Sequence, residues 1–105
     1  MTKFFIKWWV DSASAKIPDT PQKLMELSLK MLEAVKADLS AGKMTEWGTF
    51  GNGRDGYIII DGSEEDLYVT MLKYFPVVAY TVSPVLNVDQ QMEAVKKAAA
   101  AMQGK

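Results

Sequence analysis

Hydrophobic and polar residues alternate along the first stretch of the chain, over residues 3–11. Side chains of a β-strand point alternately to opposite faces of a sheet, so the alternation predicts a strand. One face is wholly apolar and is expected to lie on a core, whereas the other is mixed. The two sets are Phe4, Ile6, Trp8 and Val10, and Lys3, Phe5, Lys7, Trp9 and Asp11.

After a predicted loop at 12–19, apolar residues recur at the spacing of an amphipathic helix, and the same spacing occurs in two later segments. Each predicted helix has residues suited to its ends: Thr20, Pro21 and Gly42 for the first, Ser63 and Pro76 for the second, and Asn87 or Asp89 for the third. The apolar positions expected to be buried are Leu24, Leu27, Met31, Leu32, Val35 and Leu39 in the first helix, and Leu67, Met71, Leu72 and Phe75 in the second. A third stripe, expected to serve the core or subunit docking, comprises Met92, Val95, Ala99 and Met102.

Three further strands are predicted at 44–50, 57–61 and 77–82, and the glycine-rich stretch at 51–56 is typical of a hairpin turn. The resulting β-α-β-β-α-β order, followed by a helix at about 88–103, is that of a ferredoxin-like α+β sandwich. A length of 105 residues suits one domain. We therefore expect a single α+β domain over 1–105 with strand order 4-1-3-2 and two helices on one face of the sheet.

The helix-free face of that sheet is expected to be too apolar to remain in water. It should carry Phe5, Lys7, Trp9, Tyr57 and Ile59. Exposed apolar patches of this kind mark interaction surfaces. A second copy that packs its own open face against the first is the simplest cover, so a homodimer or a ring of dimers is predicted.

Two absences limit the chemistry. The chain has no cysteine and no histidine, which excludes disulfides, thiolate nucleophiles, iron–sulfur clusters, histidine-ligated haem, the usual zinc sites and the Ser-His-Asp triad. The acidic run at 64–66 is explained by helix capping, so neither a metal nor a cofactor is expected. A net charge of -1 offers no broad basic field for nucleic acid or an anionic membrane.

The N-terminal stretch has neither the long apolar region nor the cleavage site of a signal peptide, and no run approaches 18 apolar residues. A cytoplasmic protein is therefore expected.

Two nucleotide-binding interpretations fail on context. The stretch Gly51 to Gly56 matches G-x-G-x-x-G, but a strand follows it and not the helix that would hold a pyrophosphate. The element order also describes RNA-recognition modules, yet Asp55 stands where they have a basic residue and Ile59 where they have a second stacking ring.

Several motifs resemble the dimeric α/β-barrel superfamily, in which two such sheets close face to face around a cavity. The pattern Phe4-x-Ile6-Lys7-x-x-Val10, the stretch 57–61 and Phe75-Pro76 are similar to those of muconolactone isomerase. Trp47 and the ending Val82-Ser83-Pro84-Val85 more closely resemble a family of unknown function in the same superfamily. The resemblance implies a ferredoxin-like unit, a homodimer, and cofactor-free isomerase or monooxygenase activity among the possible functions.

Five residues are the candidate site. Lys7 lies on a central strand, where desolvation would lower its pKa and suit it to bind an anion or act in acid–base catalysis. Tyr57 is its expected neighbour and hydroxyl donor, with Trp9 and Trp47 as walls for an aromatic ligand and Arg54 at the mouth. The alternatives are that the aromatic residues serve packing, that Lys7 pairs with Asp61 or Glu46 or extends to the barrel mouth, and that Arg54 is simply solvated.

Two functions therefore stay open. The first is a cofactor-independent enzyme or binder that takes a small aromatic or anionic ligand in the barrel. The second is a non-catalytic sensing or interaction module with a filled interior. The sequence does not decide whether the protein is an enzyme.

Overall fold

The computed structural model describes residues 2–14 and 17–104, and shows an α+β fold with one antiparallel four-stranded sheet and three helices. In chain order the elements are β1 (Thr2–Val10), α1 (Pro21–Ser40), β2 (Glu46–Thr49), β3 (Asp55–Gly62), α2 (Glu64–Leu72), β4 (Val78–Val85) and α3 (Val88–Gln103). Their order is the predicted one. Residues 15 and 16 of the predicted loop at 12–19 lie outside the described residues.

The predicted N-terminal caps of the three helices are confirmed. The Thr20 and Ser63 side chains accept hydrogen bonds from backbone N–H groups of the first turns of α1 and α2. Of the two candidates for α3, Asn87 is the cap, and it forms a reciprocal capping box with Gln90.

Some boundaries differ from the prediction. β2 was predicted at 44–50 but is confined to Glu46–Thr49. Met44 is buried in the core and precedes the first residue that pairs with β3. α2 ends at Leu72 and not at Pro76, since the backbone N–H groups of Tyr74 and Phe75 bond to carbonyls only three residues back. β4 runs on to Val85, where it still pairs with Lys3.

The strands lie in the order β2-β3-β1-β4, which is 4-1-3-2 from the other edge, and every neighbouring pair is antiparallel. β1 and β3 are therefore central. Lys7 lies opposite Tyr57 of β3 on one side and Thr81 of β4 on the other.

The alternation predicted for β1 is confirmed by burial. Its apolar face lies in the core, where the buried residues are Phe4, Ile6, Trp8, Val35, Met44, Ile58, Ile60, Leu67, Met71 and Tyr74. The mixed face of β1 is exposed. The sheet thus has one helix-bearing face and one open face.

The helical burial pattern is narrower than predicted. One row of α1 side chains faces the sheet. The buried or half-buried residues of α1 all belong to this row: Leu27, Met31, Ala34, Val35 and Asp38. Five residues expected in the core are instead exposed. Leu24, Leu32, Leu39 and Leu72 lie on the flanks of their helices, and Phe75 lies beyond the end of α2.

No residue of α3 is buried, so the predicted stripe on this helix does not serve the core of its own chain. The molecule is accordingly elongated, with a longest dimension of 64 Å and a radius of gyration of 17.9 Å. A compact domain of this length has a radius of about 13 Å.

A buried carboxylate ties α1 to the segment after α2. Asp38 is only 3% exposed. It accepts a hydrogen bond of 2.8 Å from the Tyr74 hydroxyl and pairs with the half-exposed Lys73 ammonium. Burial raises the pKa of the Tyr74 phenol, and the bond to Asp38 raises it further. The tie fixes the C-terminal half of α1.

We expect Tyr74→Phe to lower the free energy of unfolding by about 1–3 kcal/mol at neutral pH, because buried Asp38 loses a donor. A folded-state pKa above the unfolded value contributes stability that is complete below the unfolded pKa, about 10 for tyrosine, and is lost as the pH rises above it. The wild type should therefore lose more stability above pH 10 than Tyr74→Phe does. Urea unfolding across this range measures both effects.

The control is Tyr68→Phe, which alters an exposed ring and should change stability by less than about 0.5 kcal/mol. An equally steep loss of stability above pH 10 in Tyr74→Phe and wild type would contradict the assignment.

Candidate functional site

The five predicted site residues fall on different parts of the sheet. Lys7, Trp9 and Tyr57 lie on the open face. Trp47 lies opposite buried Ile58 and so faces the helices. Arg54 is exposed in the β2–β3 turn. The structure therefore brings three of the five together and separates Trp47 from them.

Four apolar or aromatic side chains of the open face lie around Lys7. Phe5 and Trp9 are each 38% exposed, and Tyr57 and Ile59 are half-buried beside them. The Phe5 and Tyr57 rings are stacked with centroids 6.2 Å apart and planes 3° apart. This surface contains the residues that alternation predicted for it.

Lys7 has no counterion among the described residues. The ion pairs found among the described residues are Lys73–Asp38 and Lys96–Glu93, and neither involves Lys7. The two carboxylates considered as its partners are engaged elsewhere: Asp61 accepts a 3.1 Å bond from Thr45, and Glu46 accepts one from Tyr57. Lys7 therefore presents an unneutralised positive charge in the middle of the open face.

The Tyr57 hydroxyl donates a hydrogen bond to the Glu46 carboxylate. Gly48 makes this geometry possible, because any side chain there would overlap the Tyr57 ring. The bond to Glu46 raises the pKa of Tyr57, with smaller contributions from burial and from the charge of Glu46. Tyr57 is thus the hydrogen-bond donor of the pair and the Glu46 carboxylate the acceptor.

Trp47 contributes to a different feature, a cavity on the helix-bearing face. Its ring stacks on that of Trp8 with centroids 5.5 Å apart and planes 16° apart. The cavity has a volume of about 250 Å³ and lies between α1 and the end of the sheet at which β1 ends and β4 begins. Its lining is mainly apolar and comprises Trp8, Val10, Ser28, Met31, Leu32, Val35, Met44, Trp47, Thr49, Gly53, Ile58, Met71, Tyr74 and Val78.

Arg54 follows Gly53, which lines the cavity. Its backbone N–H donates a 2.9 Å bond to the Asn52 side chain, and its carbonyl accepts a 2.8 Å bond from Val10. These bonds hold the turn against the end of β1. Arg54 is accordingly placed at the cavity end of the sheet, and its role as a mouth residue stays a prediction.

Sequence reasoning missed two parts of the site. Glu46 was considered only as a partner of Lys7, although its place opposite Ile59 brings it within reach of Tyr57. The cavity was missed because nothing in the sequence shows that α1 stands away from this end of the sheet.

No protein-family model matches the chain, and no curated protein matches it. Within the described residues, no helix has both the length and the apolar character needed to cross a membrane.

Proposed function

We propose that the protein is a homodimer that binds a small planar aromatic molecule in the cavity beside Trp8 and Trp47. The observation that carries this proposal is the stacked pair of indoles in the wall of an apolar cavity. Ligand sites are concave and mostly apolar, with a few polar groups that orient the ligand. Ser28 and Thr49 bring hydroxyl groups to this lining, whereas the Tyr74 hydroxyl donates its hydrogen bond to Asp38.

The size of the cavity limits the ligand. An apolar cavity of about 150 Å³ holds a benzene molecule. A volume of about 250 Å³ therefore suits one or two fused rings. Offset stacking on an indole adds about 0.5–1.5 kcal/mol beyond the area buried, so a flat ring is favoured over an aliphatic chain.

We expect Trp47→Leu to weaken the binding of 2-naphthol about tenfold, because a stacking surface is removed from the cavity wall. Isothermal titration calorimetry measures the affinity. The matched control is Trp9→Leu, the same substitution on the open face, which should leave naphthol binding unchanged. Equal losses in the two variants, or no binding by the wild type, would contradict the proposal.

The homodimer in this proposal forms through the open faces, with each protomer a ferredoxin-like unit of a dimeric α/β barrel. Support comes from the exposed rings of Phe5 and Trp9 on a helix-free sheet face, since such surfaces are normally covered in water. Residues near a twofold axis meet their own copies. The same four side chains would therefore line both sides of the interface: Phe5, Trp9, Tyr57 and Ile59.

We expect Trp9→Glu to convert the dimer to monomer at micromolar concentration, because it places like charges opposite each other in an apolar interface. Sedimentation equilibrium gives the mass. Lys3→Glu, at the end of the same strand and on the same face, is the control and should remain dimeric. A wild-type protein that is already monomeric would refute this interface.

A second candidate function has its own observation, the unpaired Lys7 beside the Tyr57–Glu46 hydrogen bond. Inside a closed barrel, Lys7 would bind a carboxylate or enolate oxygen while Glu46, held in place by the hydrogen bond from Tyr57, takes a proton from one substrate carbon and returns it to another. Of the two chemistries that the resemblance implies, this set supports isomerisation, which needs only proton transfer. The ligand in this case is a small aromatic anion.

We expect Lys7→Met to weaken the binding of 2-naphthoate at least tenfold while 2-naphthol binding is unchanged, because only the anion needs the ammonium group. Calorimetry with both probes separates the two sites. Lys3→Met is the matched control. If Lys7→Met binds naphthoate as the wild type does, Lys7 has no part in a site, and the open face serves packing alone.

A further inference from the structure

The C-terminal helix carries an apolar stripe that nothing covers. Val88, Met92, Val95, Ala99 and Met102 follow each other in steps of four, three, four and three residues, and we call them the α3 stripe. Its four larger side chains are 52–77% exposed. Such alternating steps place all five residues along one side of a helix, as in a coiled-coil seam.

A second uncovered stripe lies on α1, beside the row that faces the sheet. Met25, Leu29, Leu32, Lys36 and Leu39 follow the same steps of four, three, four and three, and we call them the α1 stripe. Its four apolar members are 36–67% exposed. The two stripes therefore have the same length, about 21 Å at 1.5 Å per residue, and the same spacing.

Within one chain the two stripes do not meet. Two residues separate the end of β4 from α3, which extends from the body of the molecule; the longest dimension of the molecule is 64 Å. No residue of α3 is buried by its own chain. Another copy of the chain presents a surface of matching length and spacing.

We propose that the α3 stripe of one copy packs alongside the α1 stripe of a second copy, with the two helices parallel. In parallel orientation all five positions coincide, in the pairs Met25–Val88, Leu29–Met92, Leu32–Val95, Lys36–Ala99 and Leu39–Met102. Lys36, the only charged member, then lies opposite the smallest residue, where its stem has room to reach water. In antiparallel orientation, the best alignments match only four of the five positions. Two such alignments exist, and they place Lys36 opposite Val88 in one and opposite Val95 in the other.

The area of the contact defines its strength. Burying a large apolar side chain fully removes about 100 Å² from water, so the eight half-exposed side chains account for about 400 Å² in this contact. Stable interfaces bury at least about 1,200 Å². The contact is therefore reversible, and it joins copies independently of the open-face interface.

Disulfide trapping tests this contact directly, because the chain has no cysteine of its own. Full-length Leu32→Cys and Val95→Cys proteins are mixed and oxidised with diamide. We expect a disulfide-linked dimer that contains one of each, resolved by non-reducing electrophoresis and mass spectrometry. Met25→Cys with Val88→Cys should link as well, whereas Met25→Cys with Met102→Cys should not.

Other outcomes would overturn the proposal. A link between two Val95→Cys chains in preference to the mixed dimer would show that α3 pairs with α3. An intramolecular disulfide in a Leu32→Cys/Val95→Cys double variant, with no disulfide-linked dimer, would show that α3 folds back onto its own α1. The control, Lys30→Cys mixed with Val95→Cys, places the cysteine outside the α1 stripe, and trapping as efficient as with Leu32→Cys would indicate random collision.

A variant without cysteine gives an independent measurement. Val95→Glu should reduce concentration-dependent association, while the circular dichroism of the folded body is unchanged because α3 contributes no buried residue to it. Trp9→Glu acts on the open face and should leave the Leu32–Val95 trapping intact. Loss of trapping in Trp9→Glu, or unchanged association in Val95→Glu, would contradict a separate α3–α1 contact.

Discussion

The pairing of β1 between β3 and β4 is the constraint on which the rest of the structure depends. β1 is hydrogen-bonded on both sides along nearly its whole length, so its register determines which residues of three strands share a face. A shift by one residue would turn Phe4, Ile6 and Trp8 to the open face and Lys7 into the core. Burial of a lysine without a counterion is costly, which makes the observed register strongly preferred.

This constraint explains why part of the molecule could be predicted from the sequence. The alternation in β1 determined the buried side chains and the character of the open face, and local capping signals at Thr20, Ser63 and Asn87 located the helix starts. The facing of Trp47 could not be obtained in this way, because β2 has four residues and alternates poorly. Its position opposite Ile58 is fixed only by the register with β3.

The helices were less predictable because their surroundings decide which rows are buried. The apolar residues of α1 extend around more of the helix than the sheet can cover, so Leu24, Leu32 and Leu39 remain exposed. Asp38 was missed for the opposite reason: a carboxylate in a helical pattern indicates a surface position, and its burial depends on donors from Lys73 and Tyr74, distant in sequence. Tertiary contacts overrode the local signal in both cases.

The cavity and the Asp38 tie belong to one arrangement. Both buried residues of α1, Val35 and Asp38, lie in its second half, where the tie to Lys73 and Tyr74 holds the helix down. The cavity lined by Trp8 and Trp47 lies beside this tie: Tyr74 also lines it, and α1 contributes Ser28, Met31, Leu32 and Val35 to the lining. A ligand there would contact both the sheet and α1, so binding would be linked to the free energy of unfolding. The same argument applies to the open face and to the two stripes, since each is an apolar surface that the chain's own core does not cover. Any molecule that binds such a surface in the folded state alone raises the free energy of unfolding by mass action.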